Sequence, residues 1–78
     1  MDKKITLISG PNCHLCDQAK EMLAPLLDAK NIQLNELNVR DDATLFEQYA
    51  LRIPVVIFED GSEKGWPFTA AQIARMIN

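Results

Sequence analysis

The stretch from Lys4 to Asp28 constrains the fold more than any other part of the chain. Lys4-Ile5-Thr6-Leu7-Ile8-Ser9 alternates only loosely and has apolar residues on both faces, the pattern of an inner strand covered by helices on either side. Gly10-Pro11-Asn12 then breaks the strand. Beyond the break, Leu15, Ala19, Met22, Leu23, Leu26 and Leu27 recur at helical spacing, with Asp17, Gln18, Glu21 and Asp28 on the other side. A central strand that runs straight into an amphipathic helix of about four turns commits the chain to an α/β arrangement. Pro25 falls inside the helical pattern and removes the amide that would bond the carbonyl of Glu21, so a kink or an early stop is expected there.

The rest of the chain supplies partners for that strand. Ile32 to Val39 reads as a second strand, but its apolar phase shifts between Leu34 and Leu37, so only the latter half is expected to pair. Asp41 or Asp42 can cap a short helix running through Tyr49, and Val55-Val56-Ile57-Phe58 is a β-branched strand of the fully buried type. Glu59-Asp60-Gly61-Ser62 carries the Asp-Gly hairpin signal and leads into a short strand at Glu63 to Gly65. In the last helix Thr69 is the cap, Gln72 completes a capping box and Phe68 can staple onto Ile73, with Met76 and Ile77 continuing the buried stripe. The order β-α-β-α-β-β-α implies one domain over residues 1–78, an α/β three-layer sandwich around a four-stranded mixed sheet.

Charge and hydropathy exclude several functions. The net charge is −3 and the eight Lys and Arg are scattered, so there is no basic footprint for nucleic acid. No stretch approaches the ~18 apolar residues of a membrane span, and Met1-Asp2-Lys3-Lys4 before the first strand does not resemble a secretory leader. A monomer in the cytoplasm is expected. The two cysteines, Cys13 and Cys16, would enclose too short a loop to restrict the unfolded chain much, so their closeness suggests chemistry or metal binding rather than a structural staple.

Cys13-His14-Leu15-Cys16 sits where the first strand has ended and the helix begins. The nucleophile in disulfide exchange is the thiolate, and the unpaired amides and positive dipole end of a helix N-terminus stabilise that anion. Cys13 should therefore attack, while Cys16, one turn further in, can close a disulfide with it and act as resolving cysteine. His14 can tune the thiolate only in its protonated form, and Asp17 in the first turn opposes a second nearby anion. Further along, Pro54 stands directly before the buried strand, where a cis peptide can hold a tight turn. The alternative is an ordinary proline at a strand start. If the loop packs on the cysteines, the main chain of Ile53 is free to pair with an extended substrate peptide.

C-x-x-C after the first strand, followed by the Tyr49-Ala50-Leu51-Arg52-Ile53-Pro54-Val55 segment, resembles the thioredoxin and glutaredoxin superfamily over nearly the whole chain. The short length and the Gly65-Trp66-Pro67-Phe68-Thr69 run before the last helix are most similar to small glutaredoxin-like proteins. The resemblance implies a thioredoxin-like fold, a thiol-disulfide oxidoreductase or electron carrier, Cys13 as nucleophile, Cys16 as resolver and Pro54 as cis-proline. No cofactor is implied beyond the redox-active disulfide, with glutathione a possible co-substrate. Typical glutaredoxins have C-P-Y-C with a lysine shortly before it and a Gly-Gly pair followed by Asp. This chain has Cys-His-Leu-Cys, Gly10-Pro11-Asn12 and Trp66-Pro67-Phe68 in those places. Pro11 and Pro67 lack amide donors, and Arg52 is the obvious nearby cation, so a protein disulfide or thiol is the expected partner in preference to glutathione. Trp66 can form an apolar wall beside the sulfurs. The rival readings are a Cu(I) carrier using the same two thiolates and a glutathione-linked iron-sulfur cluster shared between chains.

Overall fold

The computed structural model describes residues 3–77. The elements are β1 (Lys3–Ser9), α1 (His14–Lys30), β2 (Ile32–Asn38), a 3-10 turn (Val39–Asp41), α2 (Ala43–Tyr49), β3 (Val55–Ile57), β4 (Glu63–Gly65) and α3 (Ala70–Ile77). The four strands lie in the order β2-β1-β3-β4, with β1 and β2 parallel and the other two pairings antiparallel. The expected central place of β1 is therefore observed.

The two-residue period of the strands divides the core between two layers. Ile5 and Leu7 of β1 and Val56 of β3, together with Phe58, face Ala19, Leu23 and Leu27 of α1 and Ile73 of α3. Ile8 and Val55 point the other way, onto Val39, Tyr49 and the half-buried Leu45 of the α2 side. Apolar residues on both faces of β1 thus have a helix to meet on each side, which is why that strand lacks clean alternation. Among the described residues, no helix is long and apolar enough to cross a membrane.

Two expectations are corrected. β2 pairs with β1 along its whole length, from Lys3 opposite Ile32 to Ser9 opposite Asn38. It is an edge strand, so its main chain completes the ladder while most of its side chains, Leu37 among them, stay exposed. The apolar phase shift therefore does not limit pairing, which is a main-chain property. Nor does Pro25 stop α1, which runs on to Lys30 and is closed by Asn31 in the left-handed conformation (φ 54°). Leu23 and Leu27, before and after the proline, are buried on the sheet, and that packing outweighs one missing amide bond.

The local signals at the C-terminal half are realised as expected. Phe58 N–H donates to Ser62 O at 2.9 Å across the turn, and Gly61 takes the positive φ (89°) that the Asp-Gly turn requires. At α3 the capping box is reciprocal, with Gln72 N–H donating to Thr69 Oγ1 at 3.2 Å and Thr69 N–H to Gln72 Oε1 at 3.0 Å.

Candidate active site

The register of the sheet decides which loops meet. Ser9 lies opposite Asn38 in the parallel pair, Ile8 opposite Val55 in the antiparallel pair, and Val55 opposite Gly65 in the hairpin. One end of the sheet therefore gathers the exit of β1, the exit of β2, the entry to β3 and the exit of β4. These are the segments that carry Cys13, Val39, Pro54 and Trp66.

Gly10-Pro11-Asn12 turns the chain from β1 into α1, and Asn12 adopts the left-handed conformation (φ 53°) that asparagine tolerates. Cys13 then takes the N-cap position of α1 in extended geometry, and Cys16 N–H donates to its Sγ at 3.1 Å. The sulfur thus takes the part a Ser or Asp oxygen plays at an ordinary cap and receives an otherwise unpaired amide. Cys13 and Cys16 are joined in a disulfide with their Cα atoms 5.2 Å apart. The two sulfurs differ in access, because Cys16 is only 2% exposed whereas Cys13 is half-buried. His14 and Leu15 between them are exposed.

The Ile53–Pro54 loop lies against this turn. A Cβ placed on Gly10 would stand 2.7 Å from Ile53 Cδ1 and 3.4 Å from Val39 Cγ2, so the absence of a side chain there lets the three segments close up. The Ile53–Pro54 peptide is cis and Pro54 is buried, with its carbonyl accepting from Trp66 N–H at 3.0 Å. Among the described residues no hydrogen bond engages the main-chain N–H or C=O of Ile53. Trp66 reaches this end of the molecule through its backbone; its ring is half-buried on the α1 and α3 side, edge-to-face with Phe68 at 5.1 Å. A second cis peptide, Trp66–Pro67, follows it.

Arg52 is held in a network of its own. Its Nη2 donates to Glu63 Oε1 at 3.0 Å, its guanidinium lies 5.1 Å from the centre of the Tyr49 ring, and Tyr49 Oη donates to Glu63 Oε2 at 2.8 Å. The hydrogen bond to Glu63 is the main reason that the Tyr49 pKa is pushed up, with burial adding to it. A second polar group sits behind the first turns of α1. Buried Ser9 Oγ donates to Glu36 Oε2 at 2.8 Å, and Lys20 Nζ reaches the same oxygen at 3.1 Å. The Ser9 bond holds the Glu36 carboxyl below its ordinary range, against the opposing effect of burial and with help from Lys20. Sequence reasoning missed both groups, because Tyr49 with Glu63 and Ser9 with Glu36 become neighbours only through strand register. The spacing of Tyr49 and Arg52 was a local signal that could have found half of the first.

Comparison with solved structures agrees with this architecture. Protein XcR50 from X. campestris is 39% identical over 92% of each chain, with a TM-score of 0.79 for its X-ray structure. Its solution structure gives 0.76 over 92% of this chain and 88% of that one. Protein Ne2328 from Nitrosomonas europaea shares the fold at a TM-score of 0.82, covering 97% and 92% of the two chains, at 20% identity. The Glutaredoxin-like domain (DUF836) profile matches residues 4–78, and with a disulfide-linked C-x-x-C at the head of α1 in a glutaredoxin-like fold the chain belongs to that family.

Proposed function

We propose that the protein is a thiol-disulfide oxidoreductase or electron carrier that cycles between the Cys13–Cys16 disulfide and the dithiol. The observation that carries this reading is the asymmetry of the pair. Cys13 sits at the helix N-cap, half-buried and receiving the Cys16 amide, while Cys16 is shielded in the first turn. An incoming partner disulfide meets Cys13 first. The Cys13 thiolate attacks one partner sulfur, forming a mixed disulfide and releasing the other partner sulfur as a thiolate. Cys16, once deprotonated, attacks the Cys13 sulfur, closes the intramolecular disulfide and frees the second partner thiol. The partner gains two electrons and the protein loses two. In reverse, the same steps oxidise a dithiol partner.

The partner we assign is a protein disulfide or thiol rather than glutathione, and the setting we assign is the reducing cytoplasm. Ile53, seated against the turn that leads to Cys13, offers an unpaired main chain for an extended peptide. A glutathione site needs cationic or amide donors for two carboxylates, but Pro11 and Pro67 lack amides and Arg52 is taken up by Glu63.

Thiol alkylation with mass measurement tests the cycle. The reduced protein should take up two alkyl groups and the oxidant-treated monomer none. Two free thiols after oxidation, or dimers linked only between chains, would sink the assignment. In a coupled deglutathionylation assay, turnover is expected to be slow and to saturate only at high substrate concentration. Tight, saturable glutathione binding with efficient turnover would make glutathione the partner instead.

A further inference from the structure

Glu63 lies on β4, two residues from the end of the sheet that carries the sulfurs, and is named by none of the motifs that identify the site. Its two carboxylate oxygens are used separately. One accepts from Tyr49 Oη at 2.8 Å and the other from Arg52 Nη2 at 3.0 Å, while the Arg52 guanidinium also covers the Tyr49 ring. The main chain closes the same loop, since Arg52 N–H donates to Tyr49 O at 2.7 Å. On the far side of Ile53, the Pro54 carbonyl is held by Trp66 N–H. Ile53 is thus suspended between two fixed residues.

We propose that Glu63 is a specificity-determining residue for disulfide exchange at Cys13, acting in two ways through one carboxylate. By tying Arg52 to Tyr49 it holds the Arg52-Ile53-Pro54 segment in place, with the main chain of Ile53 free to pair with a partner peptide. By neutralising Arg52 it withholds the cation that a small anionic thiol such as glutathione needs beside that segment. The inference rests on the proposed thiol-disulfide exchange and deepens its preference for peptide partners.

The physical case is one of competition. An arginine one residue from the substrate-pairing main chain is well placed for bidentate recognition of a carboxylate, but here a carboxylate of the protein already holds it. An isolated half-exposed ion pair is weak. This one is reinforced by a buried tyrosine whose hydroxyl has no better acceptor than the same carboxylate. Glu63→Gln keeps the shape but replaces the carboxylate by a neutral amide, which weakens the hold on Arg52 and Tyr49 and leaves the guanidinium without neutralisation. Loosening costs the peptide substrate the ready-made loop, while the freed guanidinium favours the anionic one. A purely structural residue would weaken both substrates together.

The test uses single-turnover oxidation of the reduced full-length chain, with acid quench and alkylation, by two substrates. These are glutathione disulfide and an uncharged peptide disulfide formed from two copies of an extended peptide with one cysteine. Glu63→Gln is expected to lower the half-saturation concentration for glutathione disulfide roughly threefold to tenfold and to raise that for the peptide by a similar factor. Adding Arg52→Ala should return the glutathione value to that of the wild type. Tyr49→Phe, which keeps the ion pair, should raise the peptide value alone. If Glu63→Gln shifts both values in the same direction, or neither, the inference is overturned while the exchange chemistry stands. If neither substrate drives the reduced wild type to the Cys13–Cys16 disulfide, the functional reading fails and takes the inference with it.

Discussion

At the scale of single residues, the division of labour proposed for the two cysteines rests on one turn of helix. Cys13 is at the cap, where its sulfur meets the amide of Cys16, and Cys16 is 2% exposed beneath it. Cys13→Ser is therefore expected to abolish reaction with disulfides, because the remaining thiol is buried. Cys16→Ser should still attack and then remain linked to its partner, because no resolving thiol is present. Mass measurement of the adducts reads both outcomes, and equal reactivity in the two variants would refute this order. The placement on which these proposed roles rest was legible in the sequence, since a helix start there depends only on the break at Gly10-Pro11-Asn12 and the apolar period after it. The part played by Gly10 was not legible, because what excludes a side chain there is Ile53, 43 positions away in the chain.

At the scale of elements, α1 carries a proline through its interior because tertiary packing overrides local propensity. Pro25 is exposed, so replacing it removes no core contact. Pro25→Ala restores the amide facing the Glu21 carbonyl. It should raise stability by about 1–2 kcal/mol, the helix-interior gain less the entropy a proline removes from the unfolded chain. The urea midpoint measures this, and an unchanged or lower midpoint would show that the helix has already accommodated the ring. The junction of β1, β2 and α1 makes a second element-level prediction. The Ser9 hydrogen bond, opposed by burial and assisted by Lys20, lowers the Glu36 pKa from an ordinary 4.5, so the fold favours the ionised carboxylate. That contribution is fully present above the unfolded value and is lost as pH falls through the lower folded value. Glu36→Gln should therefore be less stable than the wild type near neutral pH. The gap should narrow as pH falls through the lowered folded value, below which Glu36 is protonated in both states. A gap independent of pH would show that shape rather than charge matters at this position.

At the scale of the whole molecule, β1, with β3 beside it, joins the two apolar clusters. Leu7 and Ile8 are each 0% exposed and point to opposite faces, one into the α1 and α3 layer and the other into the α2 layer. Removing side-chain volume from either should cost about 2–5 kcal/mol, a large share of the stability of a small domain. Because the two layers share this strand, they should melt together. Trp66 packs on the first cluster and Tyr49 belongs to the second, so their fluorescence signals should give the same urea midpoint in the wild type, Leu7→Ala and Ile8→Ala alike. Separate midpoints would mean that the α2 layer unfolds on its own.

The sequence alone determined what is local in this protein. The strand-turn-helix around Cys13, an aspartate cap for α2, the Asp-Gly hairpin and the capping box of α3 each depend on residues a few positions apart, where propensity and capping chemistry act directly. Tertiary structure decided what depends on register between distant segments. It set the full-length pairing of β2, the continuation of α1 through Pro25, the seating of Ile53 against Gly10, and the sharing of Glu63 by Tyr49 and Arg52. Main-chain pairing and core burial place such groups side by side with little regard to their spacing along the chain, and no local pattern records the result.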